Sequence, residues 1–126
     1  MQTSEKPAYQ ILVVDDEPTV CRAIMMLLKH DGHTVQTAES GEAALALYEA
    51  GKFDLVITDY SMPDMKGDQL AALIKQHRPG QPIIMATAFA DDLKSGGKLN
   101  GNVDFLLNKP FSLEALRAAV AQAAGR

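Results

Sequence analysis

Five short strand-like runs, ILVV (11–14), HTVQTA (33–38), FDLVITD (53–59), QPIIMATA (81–88) and VDFLLNK (103–109), alternate with segments of helical pattern at 18–31, 40–50, 64–77, 90–99 and 112–123. Alternation of this kind leaves few solutions. Two successive strands can lie parallel only if a long crossover returns the chain along the sheet, and a helix is the usual crossover. Runs 1, 3 and 4 are continuously apolar, as central strands covered by helices on both faces must be, whereas HTVQTA is more polar and reads as an edge.

The pattern therefore predicts an α/β chain: a doubly wound, three-layer (βα)5 sandwich around a five-stranded parallel sheet of flavodoxin-like order 2-1-3-4-5. Helix punctuation agrees with it. Pro18 suits a first helical turn, Ser40 and Ser112 suit N-caps, and Gly32 and Gly51 fall where helices stop. The 90–99 segment is the weakest, because two adjacent glycines fall inside it and each helix-interior glycine costs about 1 kcal/mol relative to alanine. It is expected to be short, irregular or mobile.

The 126 residues suit one domain, here 9–126, preceded by a loose tail at 1–8. A single cysteine, Cys21, cannot form an internal disulfide, and no Cys/His cluster has zinc spacing. Cys21 reads as helix packing, and Met25, Met26, Leu27 and Leu28 as core and helix surface; His30, His33 and His77 share no catalytic spacing. The opening MQTSEKPAYQ lacks the apolar stretch of a leader, and the longest apolar run, AIMMLL, is far too short to span a bilayer. A cytoplasmic chain without membrane contact is the expectation. Net charge of −4, with scattered basic residues, argues against nucleic-acid binding by this segment.

Chemistry is expected beyond the carboxyl ends of the strands, where open parallel sheets bind ligands. Reading off the residue after each central run gives Asp15 and Asp16, then Asp59, then Thr87, then Lys109. Taken singly each has an ordinary explanation: a turn aspartate, a threonine bonding backbone, a solvated lysine. Together they converge, since strands 1, 3, 4 and 5 are neighbours in the predicted order. Two like charges ~4 Å apart cost about 4 kcal/mol at an effective dielectric near 20, so the three acids require positive charge among them. An all-oxygen site open on one side suits Mg²⁺, and Lys109 supplies a second positive charge. Metal, ammonium and hydroxyl around one aspartate form a phosphoryl-transfer site, with Asp59 as the nucleophile.

These residues carry a resemblance. VVDDEP (13–18), DYSMPDMKG (59–67), ATA (86–88) and NKPF (108–111), at separations that need no insertion or deletion, resemble the receiver (REC) domain of bacterial two-component response regulators, the CheY-like family, from about Tyr9 to the end. The resemblance implies a phosphorylation-controlled signalling switch that catalyses only its own phosphorylation and dephosphorylation. It implies Asp59 as phosphoacceptor, Asp16 as direct Mg²⁺ ligand, Asp15 as an outer ligand through water, and Ser61 as a backbone-carbonyl ligand. Thr87 would move to one phosphoryl oxygen and Lys109 would bond another, and the Lys109–Pro110 peptide would be cis.

The implied donor is a histidine kinase or phosphotransfer protein. The implied output is a downstream protein target or an output domain of the same regulator, reached through the 90–99 segment and the last strand and helix. Leu106 departs from the family pattern, in which a switch aromatic stands three residues before the lysine; Phe105 should point to the opposite face. Phe89 and Ser61 are the positions expected to set the phosphoryl lifetime. Three other readings compete. A haloacid dehalogenase-type phosphatase would use DDEPT (15–19), but Glu17 replaces its second aspartate and DYSMPDMKG stays unexplained. A flavin or nucleotide module would need glycines in the first loop, which has none. A degenerate receiver acting as a constitutive interaction module would lack some site residues, and here all are present.

Overall fold

The computed structural model describes residues 8–88 and 102–125. Five strands, β1 (Gln10–Val14), β2 (Thr34–Ala38), β3 (Leu55–Asp59), β4 (Ile83–Thr87) and β5 (Phe105–Asn108), form one sheet of order β2-β1-β3-β4-β5. Every neighbouring pair is parallel. Four helices are described: α1 (Pro18–His30), α2 (Gly41–Ala50), α3 (Gly67–His77) and α4 (Leu113–Ala124). The predicted 90–99 helix, Phe89 and residues 1–7 of the predicted tail lie outside the described residues.

Strand alternation divides the core into two layers. Ile11 and Val13 of β1 face α1 and α4, meeting Cys21, Ile24, Leu28, Leu116 and Val120. Leu12 and Val14 face α2 and α3, meeting Ala44, Tyr48, Leu70 and Ile74. Residues of β3 and β4 are buried along their whole length, while β2 and β5 carry exposed positions, as edge strands do. Phe105 packs with the α1/α4 layer, as strand alternation predicts. The Cys21 thiol is buried and points at the Asp15 carbonyl oxygen, 3.2 Å away. Burial, then the charge of Asp15, pushes its pKa up to about 11, so it is a poor nucleophile at neutral pH.

The helix ends follow side-chain chemistry. Ser40 and Ser112 accept hydrogen bonds from the N–H groups of Ala43 and Ala115, each at 3.0 Å. Gly32, with φ of 98°, takes the left-handed conformation that ends α1. One boundary differs from the sequence reading: α3 starts at Gly67, where the local pattern suggested 64. Residues 60–66 instead form a closed loop whose ends meet in a 2.7 Å bond from the Gly67 N–H to the Tyr60 carbonyl. Within it Met62 is buried in the α2/α3 layer and Asp64 turns outward to the start of α2. No helix among the described residues is long and apolar enough to cross a membrane.

Candidate functional site

Strand register brings the chemistry together. Val14 of β1 lies opposite Thr58 of β3, Asp59 opposite Ala86 of β4, and Thr87 opposite Asn108 of β5. Asp15, Asp59, Thr87 and Lys109 thus emerge at one level of the carboxyl edge, on adjacent strands. These are four of the five residues read off the strand ends; Asp16, the fifth, follows Asp15. Asp15 (2% exposed), Asp59 (8%) and Thr87 (2%) are three of the few buried polar residues among those described. Asp16 and Ser61 are exposed at the mouth.

Burying carboxylates requires compensation, and Lys109 supplies part of it. Its Nζ donates to Asp15 Oδ2 at 2.7 Å and to Asp59 Oδ1 at 3.2 Å. The N–H of Lys109 donates to the Thr87 carbonyl at 2.9 Å, so β4 fixes where the lysine stem begins. The following peptide, Lys109–Pro110, is cis, in keeping with the resemblance. Asp15 is further fixed through Oδ1, which accepts the Glu17 N–H at 3.0 Å.

One ammonium between two carboxylates does not neutralise the cluster. Burial, and then the negative charge of Asp15, raises the pKa of Asp59 against the opposing pull of Lys109. For Lys109, burial alone would lower the pKa; the hydrogen bond and charge of Asp15, with those of Asp59, outweigh it and leave the net shift upward. Asp15, Asp16 and Asp59 each present a carboxylate oxygen, and these atoms lie within 4.8 Å of one another. Hard oxygen donors, an excess of negative charge and an open side at Asp16 fit a small divalent cation such as Mg²⁺.

Glycine at 67 is dictated by this site. A Cβ there would collide with the carbonyl oxygen of Asp59, so the 60–66 loop can return against the Asp59 backbone only with no side chain at that point. Sequence reasoning included Gly67 in a motif without this reason. The anchoring of Met62 and the outward turn of Asp64 were missed as well. The phosphatase alternative finds no support in the arrangement: Glu17 and Thr19 are exposed, and the acids gathered at the site are Asp15, Asp16 and Asp59.

Comparison with known proteins agrees with this geometry. The family model described as "Response regulator receiver domain" matches residues 11–121. The transcriptional regulatory protein GlrR of Escherichia coli K12 is 38% identical over 117 residues, covering 93% of this chain and 26% of GlrR. The chain therefore spans about a quarter of that relative's length. Among solved structures, a CheY-like receiver domain protein from Methanospirillum hungatei superposes with a TM-score of 0.86 at 28% identity, over 94% of this chain and 95% of that one. The response regulator TrrA of Thermotoga maritima, solved in complex with Mg²⁺ and BeF, gives 0.79 at 34% identity, over 90% and 97%.

Proposed function

The chain belongs to the response regulator receiver domain family, and on that premise we propose that Asp59 is its phosphoacceptor. As a receiver it is a phosphoacceptor signalling module. In the proposed reaction a carboxylate oxygen of Asp59 attacks the phosphorus of a phosphohistidine on a histidine kinase or phosphotransfer protein. An O–P bond forms, the N–P bond breaks, and the electron pair leaves with the imidazole, which takes up a proton. The only chemistry the chain catalyses is this transfer and the later hydrolysis of its own aspartyl phosphate.

Each residue has a part in that reaction. Mg²⁺, when bound, offsets charge on the phosphoryl oxygens. Asp16, Asp59 and the Ser61 carbonyl would hold it directly, and Asp15 would act as an outer ligand through water. Lys109 already spans Asp15 and Asp59, so its ammonium can pass from carboxylate to phosphoryl oxygen over a short path. Thr87, at the neighbouring strand end, donates its hydroxyl to another phosphoryl oxygen. The new contacts bias a pre-existing equilibrium toward a surface read by a downstream protein or by an output domain of the same regulator. Leu106, in place of the usual aromatic, leaves this transfer chemistry intact. The reading places the chain in the cytoplasm, off the membrane and without direct nucleic-acid contacts of its own.

The bridging of Asp15 and Asp59 by Lys109 is the observation that carries the proposal, because it joins three strand ends around one carboxylate. Acetyl phosphate with Mg²⁺ should label the wild-type chain in an acid-labile, hydroxylamine-sensitive form, and Asp59→Asn should abolish the label. Full labelling of the variant, or steady phosphate release from small phosphomonoesters, would overturn it.

A further inference from the structure

The start of α2 does not rely on its own sequence alone. A helix leaves its first N–H groups without internal partners. Here Ser40 caps the N–H of Ala43, while those of Gly41 and Glu42 are taken by the two carboxylate oxygens of Asp64, at 3.1 and 2.8 Å. Asp64 comes from the loop that follows Asp59, more than 20 residues along the chain. These amides, Glu42 foremost, hold its carboxyl below the ordinary carboxylate range. Next to it the Met65 side chain lies on Gly41 so closely that a Cβ at 41 would collide with it. Two loops at the carboxyl edge are thus locked together by one exposed aspartate and one close contact.

The locked loop is the one that carries Ser61. Its base is pinned by the Gly67–Tyr60 bond and the contact of Gly67 with Asp59, its middle by buried Met62, and its far side by Asp64. Resting on the metal-dependent reading above, we propose that Asp64 is a positioning residue: by clamping the 60–66 loop to the N-terminus of α2 it holds the Ser61 carbonyl and Asp59 in the geometry that binds Mg²⁺. Because coupling between two equilibria is reciprocal, ion binding must also tighten the clamp.

Calorimetric Mg²⁺ titration of the wild-type chain, Asp64→Ala, Asp64→Asn and Ser40→Ala tests this. Asp64→Ala should weaken Mg²⁺ binding roughly three- to tenfold, a fraction of what two hydrogen bonds to a charged acceptor contribute, because these bonds are exposed and reach the ion only through the loop. Asp64→Asn keeps one acceptor oxygen and should lose less. Ser40→Ala weakens the same helix end without touching the loop, and should stay within about twofold of wild type. In amide hydrogen exchange, Mg²⁺ should slow Gly41 and Glu42 in the wild type and leave them unaffected in Asp64→Ala. Mg²⁺ affinity unchanged in Asp64→Ala, or weakened equally in Ser40→Ala, would overturn the clamp. A wild-type chain without saturable Mg²⁺ binding would instead overturn the metal reading beneath it.

Discussion

The two edges of this sheet handle charge in opposite ways. At the amino edge two acids meet cations in matched pairs. Arg117 grips Asp31 through two hydrogen bonds of 2.7 and 2.8 Å, and Lys75 reaches Asp104 at 3.0 Å, where the same carboxylate also accepts the Ile83 N–H that begins β4. At the carboxyl edge one ammonium is divided between two buried carboxylates with a third acid beside them. The matched pairs fasten helices to strand starts and need nothing more. The unmatched cluster is unfavourable as it stands, and that deficit of positive charge is what a divalent metal ion can fill.

The largest effect should come from the shared ammonium. Lys109→Ala leaves Asp15 and Asp59 facing each other and should cost about 1–3 kcal/mol in the absence of divalent ions. That is below the roughly 3–5 kcal/mol of a fully buried pair, because the lysine keeps some contact with water. Arg117→Ala breaks an exposed pair and should cost clearly less. Urea denaturation in EDTA measures both, and Mg²⁺ should restore part of the loss in the first variant only. Equal losses would erase the distinction between the two edges.

How much of this was legible in the sequence follows from which interactions are local. The strand cores were legible because ILVV, LVIT and IIMA are apolar throughout, and only a strand covered on both faces tolerates that. The site was legible because parallel strands end together, so residues following the apolar runs converge without further information. The start of α3 was not. Pro63, Asp64, Met65 and Lys66 are compatible with a first helical turn, and what withdraws them from it lies far along the chain: the amides of Gly41 and Glu42, and the pocket that buries Met62. Partition of the neighbours Asp15 and Asp16 into a buried and an exposed carboxylate also depends on where Lys109 arrives, 94 residues away from Asp15.

A smaller effect, of opposite sign, should come from Asp59→Asn. The substitution keeps the shape, removes one like charge from the cluster and lets Lys109 serve Asp15 alone. The variant should be more stable than wild type in EDTA by roughly 1 kcal/mol, the usual size of a single-residue effect. In saturating Mg²⁺ the advantage should shrink or reverse, since the ion stabilises the charged form. Asp31→Asn at the amino edge should destabilise under both conditions. Thermal melts of both variants with and without Mg²⁺ decide the signs, and an Asp59→Asn variant less stable in EDTA would mean that Lys109 already satisfies the cluster.

The smallest effect is the pH dependence of that same difference. Asp59 has a folded pKa raised above the ordinary 3.8. The folded chain therefore holds this proton more tightly than the unfolded chain, and the carboxyl's contribution to stability declines as pH rises from 3.8 through the folded value. Below 3.8 the protonated carboxyl and the amide of Asp59→Asn are both neutral, so the two proteins should be close in stability. Above the folded pKa the full gap should open. Lys109, raised above 10.5, stays charged across this window and adds no slope of its own. Asp64, lowered by the α2 amides, titrates alike in both chains and cancels in the difference. Denaturation of both proteins in EDTA at stepped pH should show the gap widening from the acid side. A gap independent of pH would assign the gain in Asp59→Asn to packing, and charge would no longer distinguish the two edges.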